Sequence, residues 1–243
     1  MFGAGNPLLG DKLMKGSYAV AGDRVMTLEG AINKSGILFI ILLIGATMTW
    51  YQPAGSVNGW MMLGVFGGLI AALVTIFKKE WAPISAPIYA FLEGLFLGGI
   101  SSIYASAYNG IVINAIALTF GVMGVMLFLY RTGIIKVTKK FQTGLMAATG
   151  GIAIVYFASF ILSFFGVNLS LIHGSGLFGI GFSLVVVAVA ALNLIMDFEF
   201  MYRGAQQELP DYFEWYSAFG LMVTLIWLYI EILRLLSKLQ SRN

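Results

Sequence analysis

Two acidic residues lie in long apolar runs of the sequence, where an ionised group has a high free-energy cost. Glu93 lies in FLEGLFLGGISS (91–102), and Asp197 lies in ALNLIMDFEFMYRG (191–204). A charge at the centre of a bilayer costs at least ~2.5–3.5 kcal/mol, and such residues often mark ion or proton pathways. Glu93 is therefore either an ion or proton site, or a neutral acid hydrogen-bonded to a neighbouring helix.

The spacing around Asp197 distinguishes two helical faces. Asn193 precedes Asp197 by four residues, so a helix places both side chains on one face. Glu199 follows by two residues, about 200° further round, and belongs to another face. We predict that Asn193 and Asp197 point into the protein, in an ion pathway or a pH-sensing site, and that Glu199 meets water or lipid headgroups. The alternative for Asp197 is a solvated helix end.

The other acids near helix ends have structural explanations. In PDYFE, Asp211 and Glu214 fit the N-cap and N3 positions of a capping box at the start of the last helix. Glu231 lies three residues before Arg234, a spacing that favours an ion pair within one helix.

Catalytic motifs are absent from the sequence. The chain has no Cys and a single His, His173, and it contains no P-loop, Rossmann glycine fingerprint or HExxH motif. We therefore predict that it is not an enzyme and that it has no cofactor. The sequence does not identify ligands for a bound metal.

Composition indicates an integral membrane protein, whose first partner is the lipid bilayer. The 243 residues are 59% hydrophobic and 10% charged, whereas soluble domains are about 45–50% apolar and about 25% charged. The sequence pI of about 9.0 would suit a nucleic-acid partner. Eleven of the 14 Lys and Arg residues, however, lie in segments assigned to one side of the membrane. We therefore expect no nucleic-acid partner.

Apolar runs predict an all-α, polytopic membrane helix bundle. Seven runs approach or exceed the ~20 residues that a membrane-spanning helix needs. They cover residues 35–52, 57–77, 83–106, 110–130, 143–166, 175–197 and 215–236. We predict a cytoplasmic N-terminal segment (1–34), a seven-helix transmembrane domain (35–237) and a short C-terminal tail (238–243). Residues 25–32 are expected to form a short helix on the membrane surface.

The distribution of basic residues predicts the orientation. Lys and Arg occur before the first span and in the loops after spans two, four and six, while the links after spans one, three and five have none. Basic residues concentrate on the cytoplasmic side, so we predict a multi-pass protein of the cell (inner) membrane with a cytoplasmic N-terminus. Because the C-terminal segment carries Arg234, Lys238 and Arg242, the alternative is a six-span form with a re-entrant last segment.

Three of the spans resemble those of the Bax inhibitor-1/YccA family, also called the transmembrane Bax inhibitor motif family. The resemblance extends over about residues 35–237 and is greatest to a bacterial Bax-inhibitor-1-like branch. The segments that carry it are Glu93 to Ser101, Met196 to Glu199, Glu214 to Gly220 and Ile232 to Leu236.

This resemblance implies six helices around a central last helix. Bacterial members are thought to be pH-sensitive calcium leak channels, in which an aspartate ending the sixth span and another within the seventh sense protons and gate a pore. Asp197 matches the first position, whereas the second holds Thr224, which cannot titrate. Glu93 then remains as the buried acid of this chain.

Together, these features favour a cation-permeable membrane protein, expected to be a pH-influenced calcium leak pathway with Glu93 and Asp197 in or beside it. Oxygen ligands without Cys suit a hard cation such as Ca²⁺. One alternative is a non-transporting regulatory protein that binds membrane proteases or other membrane proteins. A proton-coupled transporter is a further alternative.

Overall fold

The computed structural model describes residues 24–52, 54–166 and 174–242, and seven long α-helices account for most of them. Each of the seven is long and apolar enough to cross a membrane, which confirms the prediction of an all-α, polytopic membrane protein. His173 and residues 1–23 of the predicted N-terminal segment lie outside the described residues. The helices are α1 (Leu28–Trp50), α2 (Ala54–Phe77), α3 (Ala82–Ala107), α4 (Ile111–Arg131), α5 (Lys139–Phe164), α6 (Leu177–Gln206) and α7 (Tyr212–Gln240).

Helix α1 begins earlier than predicted. The Oγ1 atom of Thr27 accepts a hydrogen bond of 2.9 Å from the N–H of Gly30 and so caps the helix. The helix then runs without interruption from Leu28 to Trp50. The expectation of a separate surface helix over residues 25–32 is therefore wrong, because most of that segment forms the first turn and a half of α1.

Helix α6 ends later than predicted. It continues to Gln206, nine residues beyond Asp197. No Gly or Pro interrupts residues 197–203, and an ion pair between Glu199 and Arg203 supports the added turns. Asp197 thus lies inside a helix and is fully buried. The solvated-end interpretation of Asp197 is wrong.

The described residues form two compact units. The first unit contains residues 24–109 and 197–223, and therefore α1 to α3 with parts of α6 and α7. The second unit contains residues 110–196 and 224–242, and therefore α4, α5 and the remaining parts of α6 and α7.

In the first unit, glycines bring α3 into backbone contact with both α1 and α2. A Cβ atom added at Gly94 of α3 would overlap the carbonyl oxygen of Leu42 in α1. One added at Gly64 of α2 would lie 2.6 Å from the carbonyl oxygen of Leu92 in α3. Small residues permit such close approach between membrane helices, so these glycines fix where α3 lies against its two neighbours.

Helix α7 is the most buried of the seven helices. Sixty-one per cent of its most apolar stretch is buried, against 17–50% in the other six. Every residue from Tyr212 to Lys238 is buried or half-buried. Its 29 residues extend about 43 Å, more than the ~30 Å hydrocarbon core. The helix is therefore long enough for a full span, which argues against the re-entrant alternative.

The orientation of these spans remains a prediction that cysteine labelling can test. Because the native chain has no Cys, a single Cys can be introduced without first replacing native ones. Asn58→Cys, at an exposed position early in α2, should react with a membrane-impermeant maleimide added outside intact cells. Lys139→Cys, at the start of α5, should react only after permeabilisation. Labelling of Lys139→Cys in intact cells would show that the orientation is the opposite of the predicted one. Asn168, expected outside with Asn58, lies beyond the described residues.

Candidate functional site

Glu93 lies near the middle of α3 and is half-buried against α2. A Cβ atom added at Gly68 of α2 would lie 2.7 Å from Glu93 Oε1, so the missing side chain at Gly68 makes room for the carboxyl group. One turn earlier on α3, Tyr89 is buried and packs edge-on against Phe219, with ring centroids 4.8 Å apart. No Lys or Arg occurs in residues 89–97. Helix α3 itself therefore offers Glu93 no cation.

Asp197, also in the first unit, is the more deeply buried acid. Its exposed fraction is 0%, and no Lys or Arg lies within four positions of it on α6. The nearby Glu199 differs, because it pairs with Arg203 and 15% of its side chain is exposed. Glu199 and Arg203 are four residues apart, a spacing that could have predicted this ion pair from the sequence. The prediction of a solvated Glu199 did not take that spacing into account.

Asn193 and Thr224 both lie in the second unit and are buried, with exposed fractions of 2% and 3%. The Nδ2 atom of Asn193 donates to Thr149 Oγ1 on α5 (2.9 Å) and to the carbonyl oxygen of Val189 (2.8 Å). Among the described residues, Asn193 Oδ1 has no hydrogen-bond partner. Thr149 was not identified from the sequence, because it lies 44 residues away along the chain.

A buried polar network in the second unit surrounds the predicted ion pair of Glu231 and Arg234. Glu231 Oε1 accepts from Arg234 Nη1 (2.8 Å) and from the Tyr156 hydroxyl of α5 (2.9 Å). Farther along α7, Lys238 Nζ donates to Ser183 Oγ (2.8 Å) and to a backbone carbonyl of α6 (2.9 Å). The ion pair is confirmed, but Glu231 is only 2% exposed. The pair therefore belongs to the protein interior.

This network also bears on the predicted C-terminal tail, 238–243. Helix α7 continues to Gln240, and Lys238 is buried. Residue 237 is therefore not a structural boundary in the described part of the chain.

Asp211 and Glu214 connect the start of α7 to the start of α1 within the first unit. The N–H of Asp211, which directly precedes α7, donates to the carbonyl oxygen of Arg24 (3.0 Å). Glu214 Oε1 accepts from both the N–H and the hydroxyl of Thr27, each at 2.9 Å. The carboxylate of Glu214 thus stabilises the N-terminus of α1, beside Gly30, where a Cβ atom would collide with it. The capping roles of Asp211 and Glu214 at the start of α7 stay predictions.

No strong metal site is visible in the described residues. No group of three or more His, Cys, Asp or Glu side chains there lies close enough to hold a metal ion.

Comparison with models of known families shows which family the chain belongs to. The model of the family described as Bax inhibitor 1 like matches residues 6–241, which include all seven helices. The chain belongs to the Bax inhibitor 1 like family. This membership confirms the resemblance drawn from spans three, six and seven. No curated protein matches the chain.

Proposed function

We propose that this member of the Bax inhibitor 1 like family is a cation-permeable protein of the cell membrane that provides a calcium leak pathway. The observation that supports this proposal is the setting of Glu93 and Asp197, two acids inside apolar helices with no Lys or Arg within one turn. An acid placed in a membrane span with no cation within one turn of its helix is costly, which favours a functional reason for keeping it.

The oxygen ligands of the described residues suit the passage of a cation better than its tight binding. Carboxylate and amide oxygens bind hard cations such as Ca²⁺. Conduction also requires sites weak enough to release the ion, and the described residues hold no group of three or more acidic, His or Cys ligands. Protonation of Glu93 would remove its negative charge, which gives a physical route from pH to flux.

Calcium flux into liposomes tests this proposal. The purified full chain, reconstituted with an enclosed calcium dye, should admit Ca²⁺ faster than protein-free liposomes over about pH 5–8, the range in which a displaced carboxyl group must titrate to matter. Resistance to extraction by alkali should show that the protein is inserted, and a melting transition after extraction in detergent should show that it is folded. Folded, inserted protein with no flux at any pH would contradict the leak proposal.

The same assay separates the two alternatives. Folded protein without flux would favour a regulatory protein that binds membrane proteases or other membrane proteins. A proton current that appears only when a substrate is added would favour a proton-coupled transporter.

A further inference from the structure

One face of α5 holds polar side chains from two other helices of the second unit. Thr149 and Tyr156 are seven residues apart, which places them on nearly the same face about 10 Å apart along the helix axis. Thr149 Oγ1 accepts from Asn193 Nδ2 of α6, and the Tyr156 hydroxyl donates to Glu231 Oε1 of α7.

Each of these two contacts leaves one buried oxygen without a partner. Both described hydrogen bonds of the Asn193 amide use Nδ2, and both of the Glu231 carboxylate use Oε1. Asn193 Oδ1 and Glu231 Oε2 have no hydrogen-bond partner among the described residues, and both residues are 2% exposed. A buried polar atom left unsatisfied costs about 1–3 kcal/mol, so native proteins usually supply a partner, a water molecule or an ion.

The chemistry of the two oxygens restricts that partner. Amide and ionised carboxylate oxygens act as hydrogen-bond acceptors, so the partner must be electropositive. Such oxygens are also the ligands of hard cations. The hydrogen bond that Asn193 donates to Thr149 orients its amide, and those donated by Tyr156 and Arg234 orient the carboxylate of Glu231. Arg234 also offsets the charge of Glu231, which keeps cation binding weak and exit fast.

We infer that Asn193 Oδ1 and Glu231 Oε2 are two stations at which a permeating hard cation exchanges water for protein oxygen. Thr149 and Tyr156 act as positioning residues, because each holds the side chain that carries a station oxygen. The inference rests on the proposed leak function and extends it to named oxygens in the second unit.

The positioning residues provide the most selective test. Thr149→Val and Tyr156→Phe keep most of the side-chain volume but remove the hydroxyl, so the amide or carboxylate is no longer held. Each variant should lower calcium flux by roughly tenfold, the factor that corresponds to about 1.4 kcal/mol. Thr149→Ser, which restores a hydroxyl, should recover most of the flux.

Thr119→Val is the matched control. Thr119 is 6% exposed and lies in the same unit, but its hydroxyl donates to the carbonyl oxygen of Ala115 within α4. The same substitution there should leave flux unchanged.

Calcium-dependent unfolding gives a readout that does not require conduction. Binding to the folded state raises the melting temperature. The melting temperature of the wild-type chain in detergent should therefore be higher in calcium chloride than in choline chloride of equal ionic strength. Thr149→Val and Asn193→Leu should reduce this difference.

The outcomes separate this inference from the proposed function. If the wild type conducts and Thr149→Val and Tyr156→Phe conduct equally well, the stations are wrong and the leak proposal stands. If the wild type does not conduct but its calcium-dependent shift is lost in Thr149→Val, the leak proposal fails and the stations remain as cation sites. Loss of flux confined to the positioning variants supports the stations even without a melting shift. If the variants change neither the calcium flux nor the calcium-dependent melting shift, the two oxygens hold only water. That result would overturn the inference.

Discussion

Gly94→Ala is expected to destabilise the protein strongly. The new methyl group would overlap the carbonyl oxygen of Leu42 and crowd the backbone of Gly45 in α1. Backbone atoms cannot rotate away as a side chain can, so the two helices must separate. Overpacking of this kind costs about 1–3 kcal/mol or more, which should lower the melting temperature of the purified chain by roughly 3–10 °C. Gly98→Ala should act similarly, because its methyl group would overlap the carbonyl oxygen of Ala46.

Glycines with open surroundings provide the control for this prediction. Nothing lies within 4 Å of a Cβ atom added at Gly121 in α4 or at Gly144 in α5. Gly121→Ala and Gly144→Ala should therefore leave the melting temperature unchanged or raise it slightly, because Ala favours a helix over Gly. Equal stability of Gly94→Ala and Gly121→Ala would show that α1 and α3 do not pack through Gly94.

Glu93→Gln is expected to remove the pH dependence of calcium flux while keeping the fold. Gln preserves the shape and hydrogen-bonding capacity of a protonated Glu but cannot ionise. If ionised Glu93 attracts the cation, wild-type flux should fall as the pH falls and Glu93 takes up a proton. The variant should then keep a low flux, close to that of the wild type at low pH, across about pH 5–8. Liposome flux measured at several pH values checks both parts of this expectation.

Asp197→Asn is expected to change the pH response less than Glu93→Gln. The family resemblance places the second gating aspartate at the position of Thr224, which cannot titrate. Asp197 therefore has no carboxylate at that position with which to share a proton. Glu199→Gln is the control, since it neutralises an acid on the same helix that pairs with Arg203.

Measurements on the two acid variants can also show that Asp197, and not Glu93, is the main pH sensor. Loss of the pH response in Asp197→Asn, with a normal response in Glu93→Gln, would make Asp197 the sensor. If neither variant changes flux, both acids serve helix packing, and the regulatory alternative gains support.

The sequence by itself determined the class of fold and the number of spans. Apolar runs of about 20 residues are a local property, because each membrane helix satisfies its own backbone hydrogen bonds. The sequence also predicted the Glu231–Arg234 pair, since partners three residues apart meet on any helix. Its errors concern helix ends: α1 begins at Leu28, and α6 continues to Gln206. Polar residues within those extra turns find partners, such as Arg203 for Glu199, that a hydropathy pattern does not record.

Only the tertiary structure decided which small and polar residues meet. Glycines in α3 and α6 look alike in sequence, yet Gly94 contacts α1 closely while nothing lies within 4 Å of a Cβ atom added at Gly181. Likewise, Tyr156 meets Glu231 across 75 residues, and Lys238 meets Ser183 across 55. A single sequence shows which face of a helix a residue occupies, but not which helix that face meets. That choice depends on the packing of the whole chain, and it determines whether a buried polar atom has a protein partner or must find another ligand.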